Sequence, residues 1–125
     1  MDKQRIIHEI DTHPLNRGLR GVDWIANPLN VAVFHNEDMA LFDYEGPGLY
    51  HGHFFFKSRG KEAVEVAKII TQDMFDYGAK MIVGLVPVIN RKAGVIARMA
   101  GYHFAGMRDT EHGRVLVYLA APEMH

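Results

Sequence analysis

The chain has 125 residues, 48 % of them apolar and 23 % charged, which suits one globular domain with a core of its own. A net charge of −1 gives no field toward nucleic acid or an anionic membrane surface, and neither is expected as a partner. With no cysteine, a disulfide framework, a thiolate nucleophile and a Cys-based zinc site are excluded.

Residues 1–16, MDKQRIIHEIDTHPLN, carry no apolar core of signal-peptide length, and no apolar run nears the ~18 residues of a membrane span, so a cytoplasmic location is expected. Ile6, Ile7 and Ile10 stand at helical spacing and predict a short helix over 3–11. Residues 12–28 hold two prolines and two glycines among Leu15, Leu19, Trp24 and Ile25, which predicts a loop or broken helix docked on the core. Three strands are expected next: 29–36, 38–45 after a turn at Asn36-Glu37-Asp38, and 48–56 after Glu45-Gly46-Pro47-Gly48. Sequential strands with short turns make an antiparallel meander.

At residue 61 the period changes. Ala63, Val66, Ala67, Ile70 and Met74 oppose Lys61, Glu65, Lys68, Gln72 and Asp76, an amphipathic helix over 61–76 with Gly78 as its C-terminal cap. KMIVGLV, 80–86, is almost wholly apolar, as a strand covered on both faces is, and Pro87 ends it. A second helix over 89–100 presents Ile89, Ala93, Ile96 and Ala100 and stops at Gly101. Strands 102–109 and 113–120 close the chain as a hairpin around TEHG. The strand–helix–strand unit makes 48–56 and 80–86 parallel neighbours through a right-handed crossover. The expected fold is one α/β domain over 1–125, with a mixed, mostly antiparallel sheet of about six strands and helices on both faces.

This order resembles the GNAT superfamily of acyl-CoA-dependent N-acyltransferases. One segment, VPVINRKAGVIARMAGYHFAG, places Asn90, Ala93, Gly101 and Tyr102 at the spacing of the family's strand–helix–strand corner. Read without the family, the same residues are an N-cap Asn and a C-cap Gly. The other segment lies where the family has its pyrophosphate turn, Arg/Gln-x-x-Gly-x-Gly/Ala. Here Arg59-Gly60-Lys61-Glu62-Ala63-Val64 keeps the Arg but has Glu62 and Val64 at the last two motif positions. A carboxylate in the first helical turn already satisfies the positive end of the dipole and opposes a phosphate. Many members also carry, seven residues after the Asn, a Tyr that protonates the leaving thiolate; this chain has Ala97.

The resemblance implies acetyl-CoA or another acyl-CoA as cofactor. It would lie in a V-shaped gap between strands 48–56 and 80–86. Phe56, Lys57, Ser58, Arg59, Gly60 and Lys61 would hold its pantetheine and phosphates, with Asn90 facing it. The acceptor would be a small-molecule or protein amine, recognised by residues 12–28 and 108–113. The family's general base often sits on the strand before the long helix. Here that strand carries His51 and His53 on one face, with Glu45 as the nearest carboxylate just before the turn. Arg91, Lys92 and Arg98 on the second helix suit either the nucleotide end of CoA or a solvated face.

Two other readings stand beside the enzyme. The changes at Glu62, Val64 and Ala97 also suit a GNAT-like structural or interaction module with virion or other protein partners. Phage head-assembly and internal virion proteins include small examples, to which the compressed N-terminal part and the HPLNRG loop are similar, and a virion location would follow. His-x-His can also start a metal site, with His35 as third ligand. No carboxylate has supporting spacing for it, and no metal is expected.

Overall fold

In a computed structural model, residues 3–12, 20–111 and 113–123 are described. The sheet begins with the meander. β1 (Val31–His35) and β2 (Asp38–Gly46) pair antiparallel across a turn in which Asn36 takes a positive φ of 56°, a conformation Asn tolerates better than most residues. β3 (Leu49–Phe55) follows after Pro47-Gly48, and a bulge between Tyr44 and Gly46 adjusts its register on β2. α3 (Gly60–Tyr77) then crosses to β4 (Met81–Pro87), parallel to β3. α4 (Arg91–Met99), β5 (His103–Thr110) and β6 (Gly113–Ala120) complete the chain, and the sheet order is β1-β2-β3-β4-β6-β5.

Period-two alternation decides what each face carries. Ala40, Phe42, Tyr50, Ile82, Tyr118 and Ala120 meet Val66, Ala67, Ile70 and Met74 of α3, with α4 packed beside them. The opposite face sets Met39 and Leu41 against Ile6 and Ile10 of α1 (Lys3–Thr12) and Trp24 of α2 (Gly21–Ala26). Helices therefore cover both faces, as expected. Leu15 and Leu19 lie outside the described residues. Ile89 departs from its expectation: it precedes α4 in the β4–α4 turn and is 87 % exposed. Asn90 rather than Ile89 begins the helix, because its side chain accepts from Ala93 N at 3.2 Å and caps it.

α1 is tied to the hairpin end of the sheet. Arg5 donates to Glu37 O at 2.7 Å and lies over the Phe34 ring, 4.9 Å from its centroid. No helix among the described residues is long and apolar enough to cross a membrane.

Candidate active site

β3 and β4 pair only from Leu49–Met81 to Gly52–Gly84. Beyond that rung they part. β3 stays with β2 as far as Phe55, and β4 stays with β6 as far as Pro87. The last shared rung has glycine on both strands. A Cβ on Gly52 would lie 3.1 Å from Phe42 Cε1 and 3.3 Å from Ile82 Cγ2, whereas one on Gly84 would meet nothing within 4 Å. Gly52 lets the core close beneath the fork, and Gly84 leaves the fork open. The result is a cavity of about 340 Å³ whose walls include His51, His53, Leu85, Asn90, Ala97 and Tyr118.

One wall carries a polar cluster. The β2–β3 register sets Asp43 opposite His51, with His53 two residues on and on the same face. Asp43 Oδ2 is 2.7 Å from His53 Nε2 and 3.8 Å from His51 Nδ1. The two imidazole rings are 4.4 Å apart between centroids, with 44° between their planes. Trp24 Nε1 donates to Asp43 Oδ1 at 2.5 Å, so the indole of α2 fixes the carboxylate from the far side. Burial pushes the Asp43 carboxyl up, but the hydrogen bond and charge of His53, the Trp24 N–H and the charge of His51 outweigh it and hold the pKa below the ordinary value. An ionised carboxylate only accepts, so His53 Nε2 carries the proton of the shared bond and the Nδ1 lone pair is left for chemistry.

Of the residues expected from sequence, His51, His53 and Asn90 come together around this cavity. Glu45 does not: it is the extra residue of the bulge, exposed and outside the cavity lining. Asp43 is the carboxylate that the fold sets beside the two histidines. Its signal was the hairpin register, which opposes it to His51 once the turn is closed at Pro47-Gly48. His35 is on the wrong face for a set with His51 and His53. Val33 pairs with Ala40 and Ala40 with Phe54, so the odd residues of β1 share the Phe54 side.

The turn into α3 is separate from the cavity lining. Phe56 stacks on Phe54, 5.1 Å between centroids, as part of the core edge. Lys57, Ser58 and Arg59 border a shallow depression with Asn36, Glu37 and Glu62, and Gly60 and Lys61 are exposed beside it. Two of the turn's main-chain donors, Lys57 N and Ser58 N, are already partnered. Buried Asp38 accepts from Lys57 N at 2.7 Å, Ser58 N at 3.0 Å and Ser58 Oγ at 2.5 Å. Ser58 Oγ also lies 3.3 Å from Glu62 Oε1, but one hydroxyl has one hydrogen, and the shorter contact takes it. Val64 is 6 % exposed, so its side chain packs inward rather than filling the mouth. Arg59, at the N-cap of α3, makes no side-chain cap.

Two phenols, Tyr102 and Tyr118, also line the cavity. Tyr102 is tied to Thr71 Oγ1 at 2.9 Å, and burial raises its pKa to about 12. Tyr118 reaches from β6 toward α4, its hydroxyl 3.3 Å from where a Cβ on Gly94 would stand. It lines the same cavity as Ala97.

No protein-family model and no curated protein matches the chain. Solved structures do. AAC(6')-Ib in complex with paromomycin and acetyl-CoA superposes with a TM-score of 0.61 at 15 % identity, over 76 % of this chain and 65 % of that one. The ribosomal-protein-S5-alanine acetyltransferase of Vibrio fischeri gives 0.56 at 9 % identity, over 70 % and 56 %. A Chromobacterium violaceum ATCC 12472 protein assigned to the GNAT acetyltransferases gives 0.55 at 16 %, over 66 % and 48 %. This chain has the GNAT fold. It spans slightly under two thirds of the AAC(6')-Ib chain.

Proposed function

We propose that the chain is an acyl-CoA-dependent N-acyltransferase acting on a small-molecule or protein amine. The observation that carries this reading is the Asp43–His53 pair set in the wall of the cavity at the β3–β4 fork. The structural neighbours support it: AAC(6')-Ib was solved with acetyl-CoA and an aminoglycoside.

The residues fit the acyl-pantetheine end of the donor well. Beyond Gly52 and Gly84 the two strand edges lack each other as partners, and an extended arm bearing amides can hydrogen-bond to both. Asn90 adds its side-chain NH₂, since its Oδ1 is engaged in the cap. The phosphate end rests on Arg59, Lys61 and the first-turn amides of α3, with Glu62 in opposition and the Lys57 and Ser58 amides held by Asp38.

The donor supplies a thioester carbonyl for the amine to attack. His53 takes the amine proton at Nδ1, and Asp43 positions the ring through Nε2 and stabilises the imidazolium. His51, on the same wall, favours acceptors that carry polar groups. Tyr118 gives its proton to the departing sulfur, in place of the phenol that Ala97 lacks. Calorimetry and thermal melts with acetyl-CoA test donor binding: heat and a raised Tm are expected, and neither signal at millimolar donor overturns the reading.

A second reading has one observation in its favour. Asp38 and Glu62 put two carboxylates at the turn where phosphates would dock. A chain that kept the fold and lost the donor would be a structural or interaction module, such as a phage head-assembly or internal virion protein. A gene neighbourhood of capsid and tail genes, together with no donor binding, would select it.

A further inference from the structure

We propose that Asp43, His51 and His53 form a binding site for one divalent first-row transition-metal ion of the zinc type. One ligand atom from each residue lies within 4.8 Å of the others. Zinc–nitrogen and zinc–oxygen bonds of about 2.0–2.2 Å place neighbouring tetrahedral donors ~3.3 Å apart. The Asp43 contacts of 2.7 Å to His53 and 3.8 Å to His51 straddle that value. Side-chain rotations that bring the three atoms, all within 4.8 Å of one another, to that spacing would complete the set.

Three further features favour an ion here. The donors come from two hydrogen-bonded strands whose register is set on both sides of the cluster, by Ala40–Phe54 and Tyr44–Tyr50, and rigid elements hold a site better than loops do. Trp24 Nε1 holds Asp43 Oδ1 at 2.5 Å and so presents Oδ2 to the two rings, the role that outer partners play around metal-bound carboxylates. All three residues line the fork cavity, so a fourth position opens toward the ligand space, as in three-ligand catalytic zinc sites. Two imidazoles and one carboxylate suit zinc, cobalt or ferrous iron, and give magnesium and calcium too few oxygens.

The ion displaces the proton between Asp43 and His53 Nε2, and the His53 ring then carries its proton at Nδ1. That is the atom assigned above to the amine. The metal-loaded and base-competent states are thus alternatives of the same three residues, a consequence that rests on the N-acyltransferase reading, whereas ion binding does not.

The test uses tag-free, chelator-stripped protein with neither donor nor acceptor. Cobalt(II) is titrated with visible absorption and zinc(II) by calorimetry. One ion per chain is expected, with d–d bands of a four- or five-coordinate site. Asp43→Asn and His53→Gln, shown folded by circular dichroism, should each weaken zinc at least about 10-fold. His35→Gln, on the opposite face of the sheet, should leave it unchanged. Stoichiometry well below one, equal affinity in the folded Asp43→Asn and His53→Gln variants, or loss of binding in His35→Gln would each overturn the site.

Discussion

Asp43 and His53 are ten residues apart in the chain and 2.7 Å apart in space, joined across the β2–β3 ladder at the place where the sheet divides. The pair sets an imidazole beside a cavity and holds it there through its Nε2. If it acts as base and positioning residue, His53→Gln lowers kcat by about 10²–10³-fold. Asp43→Asn, which no longer stabilises an imidazolium, lowers kcat by about 10²-fold while the donor KM changes little. Initial rates of thiol release with a responsive amine check both.

Acid should unfold the chain through its two paired aspartates. Burial raises the Asp38 carboxyl, but the Ser58 hydroxyl, the Ser58 and Lys57 N–H groups and the nearby His35 charge hold it below the ordinary value of 3.8; Asp43 is lowered as well. A folded pKa below the unfolded one means stabilisation that is complete above about pH 4 and lost as pH falls through the folded value. Melts between pH 7 and pH 2 should show that decline. Asp38→Ala should cost about 3 kcal/mol at pH 7, from two N–H groups and a hydroxyl left without their acceptor, and should flatten the acid limb. An unchanged acid limb would count against the assignment.

Glu62→Gln separates helix stability from donor binding. Removing the charge from the first turn of α3 should cost about 0.3–1 kcal/mol of stability. It should also tighten acetyl-CoA by about 3–10-fold, because a like charge beside the phosphates is gone. Calorimetry and a melt on one protein sample read both signs.

The two buried phenols should part company. Tyr118→Phe should lower kcat by about 10²-fold with the fold intact, as expected for loss of a proton donor. Tyr102→Phe should leave kcat nearly unchanged and cost about 1 kcal/mol, the value of its bond to Thr71.

The glycines at the fork give a paired test. Gly52→Ala presses on Phe42 and Ile82 and should destabilise by about 1–3 kcal/mol. Gly84→Ala has room, should melt close to the parent, and should weaken any ligand that fills the fork.

Element order was legible because the period changes sharply. Strand alternation ends at Phe56, and Ala63, Val66, Ala67, Ile70 and Met74 recur at helical spacing and are all buried. The Asn90–Tyr102 corner was legible for the same reason: a cap, a helix and a glycine exit are local chemistry. The site was legible only in part. His51 and His53 announce a shared face by themselves, but Asp43 joins them through a ladder whose register a bulge shifts. Glu45 looked closer in the chain, and the bulge removed it. Asp38 read as a turn residue, and only the packing of β2 beside the β3–α3 corner reveals that it ties down Lys57 and Ser58. Trp24 read as a core aromatic, which it is; its N–H on Asp43 depends on how α2 crosses the sheet.

The four rungs from Leu49–Met81 to Gly52–Gly84 are also the only seam, among the described residues, between two three-stranded ribbons: β1-β2-β3 on one side and β4-β6-β5 on the other. Four rungs are fewer than join any other pair of neighbouring strands in the sheet. An occupant that bonds to both strands beyond the last shared rung would act as a short splint across it. Cohesion between the halves of this domain would then depend on what sits in the fork as well as on the chain itself.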